Sequence, residues 1–210
     1  TDITAGILAA MGAAAAYAGK QKTSLGTRVD TSLFEAGITH TYWQSAITLA
    51  TGKSPKALGS AHPLNAPYQA FPTADGYINI GAANQRNWLR LLDVIGALEL
   101  NNDPRFLSNA DRMANLPELV DVLNGYFRQH TSDIWLEKLD QAGVPAGPIL
   151  SIKEMLEHPQ ALARDMVVQT EHDGVGTVKG LGMAVKFQGA EPVASRPAPT
   201  HGQHSRQVLK

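Results

Sequence analysis

A run of small side chains near the start of the chain limits how it can fold. Most residues from 6 to 16 are glycine or alanine, which predicts a long helix that another backbone or a ligand can approach closely. Asp2 and Thr4 precede this run, and we expect them to cap the helix, because their oxygens accept hydrogen bonds from the free amides of a first turn. That end of a helix carries partial positive charge and keeps a nearby carboxylate ionised. Asp2 is therefore a candidate nucleophile or general base, although an ordinary capping aspartate has the same local sequence.

The composition of the 210-residue chain narrows its class. Hydrophobic residues make up 43% and charged residues 18%, which is typical of a soluble globular protein. The net charge is -1 and there is no basic cluster, so neither nucleic acid nor a membrane surface is expected as a partner. The chain has no cysteine, which excludes disulfides and zinc–thiolate sites and favours an intracellular location. The seven histidines are scattered, so no metal site is expected.

The first residues also indicate whether the chain spans a membrane and whether it is part of a longer protein. The apolar run 7–19 is too short and too rich in alanine and glycine to span a bilayer, and no basic segment precedes it as in a signal peptide. Because the chain enters a buried-looking helix at once, we expect it to be the later part of a longer protein.

Local patterns predict an α/β organisation at the start of the chain. Residues 28–33 alternate polar and apolar side chains, which predicts a short strand. Residues 34–51 are predicted to form one helix, and residues 52–65, rich in glycine and proline, a loop. Helix, turn and strand in this order would form half of a βαβ unit in a parallel sheet.

Turn and helix signals alternate along the rest of the chain. A turn at residues 74–76 predicts a hairpin over residues 68–82. Asn84 is expected to cap a helix that reaches Ile95 and has an apolar stripe of Trp88, Leu91, Leu92 and Ile95. Prolines make residues 144–150 an edge strand or a crossover. The other predicted elements are helices over 107–114, 117–130, 131–143, 151–157 and from 159, a strand over 166–171, glycine-broken β-structure to 187, an extended run over 192–199 and a closing helix over 203–210.

No local motif identifies a site by itself. The glycines never form Gly-x-Gly-x-x-Gly after a strand, so dinucleotide binding is unsupported, and no histidine near Asp30 completes a triad. The small residues of the segment 59–62 permit close backbone approach and movement, but a plain connector between domains has the same composition.

Several short sequence motifs occur along the chain, and the set of motifs in this order is specific. Residues 2–6 read Asp-x-x-x-Gly ahead of the small-residue helix, and residues 22–33 read Lys-Thr-Ser-Leu-Gly-Thr-Arg-Val-Asp-Thr-Ser-Leu. The others are His-Pro at 62–63, Pro-Tyr at 67–68, Phe-Pro-Thr-Ala-Asp-Gly-Tyr-Ile at 71–78, Asn-x-x-x-Trp at 84–88, Asp-Pro-Arg-Phe at 103–106, Ala-Gly-Val-Pro-Ala-Gly-Pro at 142–148 and Gly-Gln-His-Ser-Arg-x-Val-Leu at 202–209. Nearly end to end, the chain resembles the later half of a family III coenzyme A transferase, the group of formyl-CoA transferase, carnitine CoA-transferase and α-methylacyl-CoA racemase.

The resemblance implies an α/β architecture with a Rossmann-like large domain and a smaller α+β domain. Residues 1–55 would supply a helix, a strand and a linker of the large domain, residues 56–170 the small domain, and residues 171–210 the return linker and the last segment of the large domain. Two chains of this family thread through each other as interlocked rings, so the resemblance implies a homodimer, and we expect a cytoplasmic location.

The resemblance also implies the chemistry. Asp2 stands at the position of the family's catalytic aspartate, whose carboxylate attacks an acyl-CoA thioester to form a mixed anhydride. The released CoA thiolate then attacks the bound acyl group, and an incoming small carboxylic acid exchanges across the same carboxylate. Gly59, Ser60 and His62 match a mobile loop that closes over the acyl group, with one glycine where some members have several. Coenzyme A is thus a substrate and not a permanent cofactor, and most residues that hold its nucleotide are expected upstream.

Two alternatives stay open at this point. A racemase or epimerase would use Asp2 as one acid/base partner opposite a histidine from upstream sequence. A truncated, non-catalytic relative would only dimerise or bind a partner.

Overall fold

A computed structural model describes residues 1–189 and 196–210 of the chain. The chain divides into two compact units, Thr1–Gly59 and Ser60–Lys210. The three-part division predicted from the sequence, after residues 55 and 170, stays a prediction.

The first unit is helical. Ser32 begins its second helix, because the Ser32 hydroxyl accepts a hydrogen bond from the Glu35 N–H at 3.2 Å. The first helix ends at Ser24, whose left-handed backbone (φ 60°) directs its N–H to the Lys20 carbonyl. The helices are α1 (Asp2–Thr23), α2 (Leu33–His40) and α3 (Tyr42–Thr51).

Two predictions for this unit are wrong. Residues 28–33 form no strand, because a strand requires a hydrogen-bonded neighbour and no described strand pairs with them. The expected half of a βαβ unit is therefore not formed by the described residues. The helix predicted over 34–51 is interrupted at Thr41, where the backbone N–H and the hydroxyl both donate to the Ile38 carbonyl, at 3.0 and 2.8 Å. Such local side-chain hydrogen bonds of threonine compete with the helical pattern and separate α2 from α3.

Helix α1 is longer than the apolar run on which the membrane prediction was based. It has 22 residues and a mean hydropathy of 1.2 over its most apolar window, which is long and apolar enough to cross a membrane by length and composition only. The prediction that this segment is too short to span a bilayer is therefore wrong. Core helices of globular proteins and signal sequences meet the same criterion, so this property alone assigns no membrane.

A three-stranded antiparallel sheet forms the centre of the second unit. Its strands are β1 (Tyr68–Pro72), β2 (Tyr77–Gly81) and β3 (Ala146–Pro148), with β2 in the middle. The pairing of Phe71 with Ile78 confirms the predicted hairpin. The proline-containing strand β3 lies at the edge, as predicted, where its missing N–H costs no ladder hydrogen bond.

Helices cover one face of this sheet and form the core with it. Asn84 caps the first of them by accepting a hydrogen bond from the Asn87 N–H at 2.8 Å, and its predicted apolar stripe is buried, which confirms both predictions. The helices are α4 (Gln85–Ile95), α5 (Asn109–Ala114), α6 (Leu116–Phe127) and α7 (Ser132–Gln141), with a 3-10 turn at Leu98–Asn102. The larger core side chains are Phe71, Ile78, Ile80, Trp88, Leu91, Leu92, Phe106, Leu119, Leu123, Phe127, Trp135 and Leu139.

The last part of the second unit contains short elements. They are α8 (Ile152–Glu157), α9 (Pro159–Ala163), the antiparallel strands β4 (Val167–His172) and β5 (Gly176–Leu181), and α10 (Ser205–Val208). The predicted closing helix over 203–210 is too long, because Gly202 adopts a positive φ of 77° and the Gln203 side chain accepts a hydrogen bond from the Thr200 N–H. Of the extended run predicted over 192–199, residues 192–195 lie outside the described residues.

Candidate active site

Asp2 is the first residue of helix α1 and not its cap. Thr1 occupies the N-cap position and makes no capping hydrogen bond with its side chain, while its carbonyl accepts the Ala5 N–H at 2.8 Å. The prediction that Asp2 and Thr4 cap this helix is therefore wrong, since the helix begins one residue earlier than expected. The Asp2 side chain is exposed within the described unit.

Helix α2 contacts this first turn of α1. The Thr4 hydroxyl lies 2.8 Å from His40 Nε2, at the last residue of α2. Gly37 of α2 lies close enough to Thr1 that an added Cβ would stand 3.2 Å from the threonine methyl group. His40 and Gly37 were not identifiable from the sequence, because thirty-six residues separate each of them from its partner and neither belongs to a recognisable local motif.

The small-residue face of α1 permits the close approach that its composition predicted. A Cβ added to Gly12 would stand 2.7 Å from Val29 Cγ1, so the segment that follows α1 packs directly on the helix backbone. A shallow cavity of about 330 Å³ adjoins this contact and is lined by Ala13, Ala16, Tyr17, Lys20, Gly26, Thr27 and Val29.

The predicted substrate loop belongs partly to the second unit, where strand β1 holds it. The Ser60 hydroxyl accepts a hydrogen bond from the Ala70 N–H at 3.1 Å, and the His62 N–H donates to the Tyr68 carbonyl at 2.9 Å. The His62 ring stacks on the Tyr68 ring with centroids 5.1 Å apart. Gly59 has a positive φ of 61° and is the last residue of the first unit. The structure thus brings Ser60 and His62 together on β1, while Asp2 lies in the other unit.

Polar networks elsewhere in the second unit are structural. Asp75 in the hairpin turn accepts hydrogen bonds from the backbone N–H and the hydroxyl of Ser132, at 2.8 and 3.0 Å. The Ser132 N–H is the main cause that holds the pKa of the Asp75 carboxyl below its usual range. His158 accepts the Gln160 N–H at 3.1 Å and thereby caps helix α9. No group of three or more potential metal ligands occurs within residues 1–189 and 196–210.

Arg112 is fully buried, and sequence patterns did not identify it. Its Nε donates to the Ala66 carbonyl at 2.7 Å, and one terminal nitrogen donates to the Phe106 carbonyl at 3.0 Å and to Gln85 Oε1 at 3.1 Å. The guanidinium carbon lies 5.0 Å from the centre of the Trp88 ring. Burial lowers the pKa of Arg112. These contacts join the start of the sheet to the helices, and no substrate role follows from them.

A larger cavity in the second unit contains none of the predicted site residues. It has a volume of about 570 Å³ and lies between α8, α9 and the two-stranded sheet. Its walls are formed by Lys153, Leu156, Glu157, Leu162, Val167, Lys179, Gly180 and Leu181.

Comparison with known proteins gives consistent matches along the chain. The family model described as CoA-transferase family III matches residues 1–205. Human succinyl-CoA:glutarate CoA-transferase is 32% identical over 210 residues, which are 100% of this chain and 48% of that protein. Acetyl-CoA:oxalate CoA-transferase of Acetobacter aceti is 34% identical over 94% of this chain and 49% of its own length.

Solved structures agree with these matches. A CaiB/BaiF family protein from Brucella suis superposes with a TM-score of 0.81 at 32% identity, over 98% of this chain and 53% of that one. The chain therefore spans about half of the length of its relatives. The match confirms the mixed helix-and-strand fold and the resemblance to the C-terminal portion of such a protein.

Proposed function

Because the chain belongs to CoA-transferase family III, we propose that the whole protein transfers coenzyme A between an acyl-CoA thioester and a small carboxylic acid. The observation that carries this proposal is the agreement between the family match over residues 1–205 and relatives that are named CoA-transferases over the full length of this chain. The names of these relatives include glutarate and oxalate. Short dicarboxylic acids are therefore the first acceptors to test.

Asp2 is the proposed nucleophile. One oxygen of its carboxylate attacks the thioester carbonyl, so that a carbon–oxygen bond forms and the carbon–sulfur bond breaks, with the electron pair leaving on the CoA thiolate. The product on the protein is a mixed anhydride. The carboxylate of the incoming acid attacks the Asp2 acyl carbon of this anhydride, which forms a second mixed anhydride and releases the first acid as a carboxylate. The CoA thiolate then attacks the acyl carbon of the new acid, so that the new thioester forms and the electron pair of the broken carbon–oxygen bond returns to the Asp2 carboxylate. Asp2 suits this role because its side chain is exposed at the first turn of α1.

Gly59, Ser60 and His62 are the proposed acyl-facing loop. Ser60 and His62 are attached to β1 by hydrogen bonds, and the left-handed backbone at Gly59 is a conformation that glycine adopts without strain. Coenzyme A enters this scheme as a substrate, and no permanent cofactor takes part.

A homodimer is also part of the proposal. Within residues 1–59 the one fully buried hydrophobic side chain is Ala36, whereas Ile3, Ile7 and Phe34 are 80%, 61% and 78% exposed. Apolar surface of this kind requires cover from the rest of the protein or from a second subunit.

Acyl trapping tests the proposed role of Asp2. The whole protein is incubated with acyl-CoA and then with hydroxylamine, and peptide mass spectrometry should locate the hydroxamate at Asp2. The variant Asp2→Asn should lose transfer activity, whereas the control Asp30→Asn should keep it, because Asp30 only forms an exposed ion pair with Arg28. An active protein whose Asp2 remains unlabelled contradicts the anhydride route.

A second measurement distinguishes racemase activity from CoA transfer. A racemase exchanges the α-hydrogen of a 2-methylacyl-CoA with deuterated water and needs no acceptor acid. We expect no such exchange, because the relatives named above are transferases. Rapid exchange without an acceptor contradicts the transferase proposal.

A further inference from the structure

Helix α2 presents a narrow face of small residues to the first turn of α1. Ala36 is fully buried, and Gly37 leaves room for the Thr1 methyl group, which would stand 3.2 Å from an added Cβ. Glycine inside a helix is less favourable than alanine. The close approach of α1 gives a physical reason for glycine at this position.

His40 extends the same face of α2 by one turn, since residues four apart on a helix are neighbours. Its Nε2 lies 2.8 Å from the Thr4 hydroxyl, which is a short hydrogen bond between two residues of the contact. Thr1 and Thr4 flank Asp2 in the first turn of α1. Helix α2 thus holds this turn on both sides of the Asp2 backbone.

From these contacts we propose that Gly37 and His40 are positioning residues that hold the Asp2 carboxylate in the orientation needed for attack on the thioester. The inference rests on the proposed role of Asp2 as nucleophile. His40 acts through Thr4 and the helix backbone and does not touch the substrate. Attack requires the nucleophilic oxygen to approach the carbonyl carbon along a narrow path, and a misplacement of about 1 Å can lower a rate by about 10²-fold.

The test uses steady-state kinetics and the rate of Asp2 acylation in the whole protein. His40→Leu and Thr4→Val each remove the hydrogen bond, and each should lower kcat and the acylation rate by about ten-fold or more, with KM for acyl-CoA within about two-fold of the wild type. His40→Gln and Thr4→Ser keep a hydrogen-bonding group at the same place and should restore most of the rate. The double variant Thr4→Val/His40→Leu should be no slower than either single variant, because both remove one interaction.

Gly37→Ala tests the same contact by a different route. Its Cβ should press the first turn of α1 away from α2 and lower kcat, whereas Gly19→Ala, whose Cβ would meet nothing within 4 Å, should not. Thr39→Val is the control on α2 and should keep the wild-type kcat, because the Thr39 hydroxyl donates to the Glu35 carbonyl of its own helix and not to α1.

The outcomes separate this inference from the proposed function. If Asp2 is acylated and Asp2→Asn is inactive, but His40→Leu and Thr4→Val keep the wild-type kcat, the positioning role is refuted and the nucleophile stands. Additive losses in the double variant, or a failure of His40→Gln to restore the rate, refute the shared hydrogen bond as the cause. If Asp2 is not acylated in the active protein, both proposals fall.

Discussion

Replacing Arg112 by methionine should lower the free energy of unfolding, because it removes a buried donor and leaves its acceptors in place. The Ala66 and Phe106 carbonyls lie in fully buried residues and receive their hydrogen bonds from this guanidinium. A buried acceptor without a partner costs about 1–3 kcal/mol, so the two carbonyls together cost about 2–6 kcal/mol. Gln85 is exposed and can bond to water instead.

Part of this cost is recovered in the variant. The native protein keeps a charged guanidinium out of water, which is why burial lowers the pKa of Arg112, and methionine removes that penalty. Methionine also fills most of the volume of the arginine stem, so a cavity contributes little. The net loss of stability should therefore be about 3 kcal/mol.

Urea titration of the 210-residue chain measures this difference. Tryptophan fluorescence follows the unfolding of the second unit, since Trp88 and Trp135 lie in its core. Arg105→Met is the matched control, because Arg105 also lies over an aromatic ring, at 4.9 Å from the Phe106 centroid, but is exposed. A loss below about 1 kcal/mol for Arg112→Met, or one no larger than the loss for Arg105→Met, refutes the hydrogen-bond argument.

Three further predictions concern packing and pH. Gly12→Ala should destabilise the chain by about 1–2 kcal/mol, because the added Cβ would stand 2.7 Å from Val29 Cγ1. Gly19→Ala should stabilise the chain by up to about 1 kcal/mol, since its Cβ would meet nothing within 4 Å. Equal effects of the two variants in a melting experiment contradict the close contact between Gly12 and Val29. Leu123→Ala should cost about 2–5 kcal/mol in urea titration, since Leu123 is fully buried, and a loss under about 1 kcal/mol would mean that the site is not closely packed. Asp75→Asn should flatten the dependence of the unfolding free energy on pH below 3.8. Because folding lowers the pKa of the Asp75 carboxyl, its contribution to the stability of the wild type is present above pH 3.8 and is lost as the pH falls through the lowered pKa. An unchanged slope in the variant contradicts the Ser132 contact.

Local signals determined much of the second unit. Asn84, the apolar spacing of α4 and the turn at residues 74–76 each act within a few residues, so the helix and the hairpin formed as predicted. The same holds for β3, because proline cannot donate a ladder hydrogen bond and is confined to an edge. The family resemblance likewise follows from residue identities and their order, and the comparisons confirm it.

Contacts between distant residues decided the rest. Residues 28–33 have the alternation of a strand, but a strand exists only beside a partner, and here the segment packs on Gly12 instead. The family resemblance singled out Asp2 as a candidate nucleophile, which stays a prediction, and its place inside the first helical turn was visible only in the structure. Arg112 and His40 meet partners 46 and 36 residues away, and hydrogen bonds of that range leave no periodic pattern in a sequence, because they depend on how separate elements pack in space.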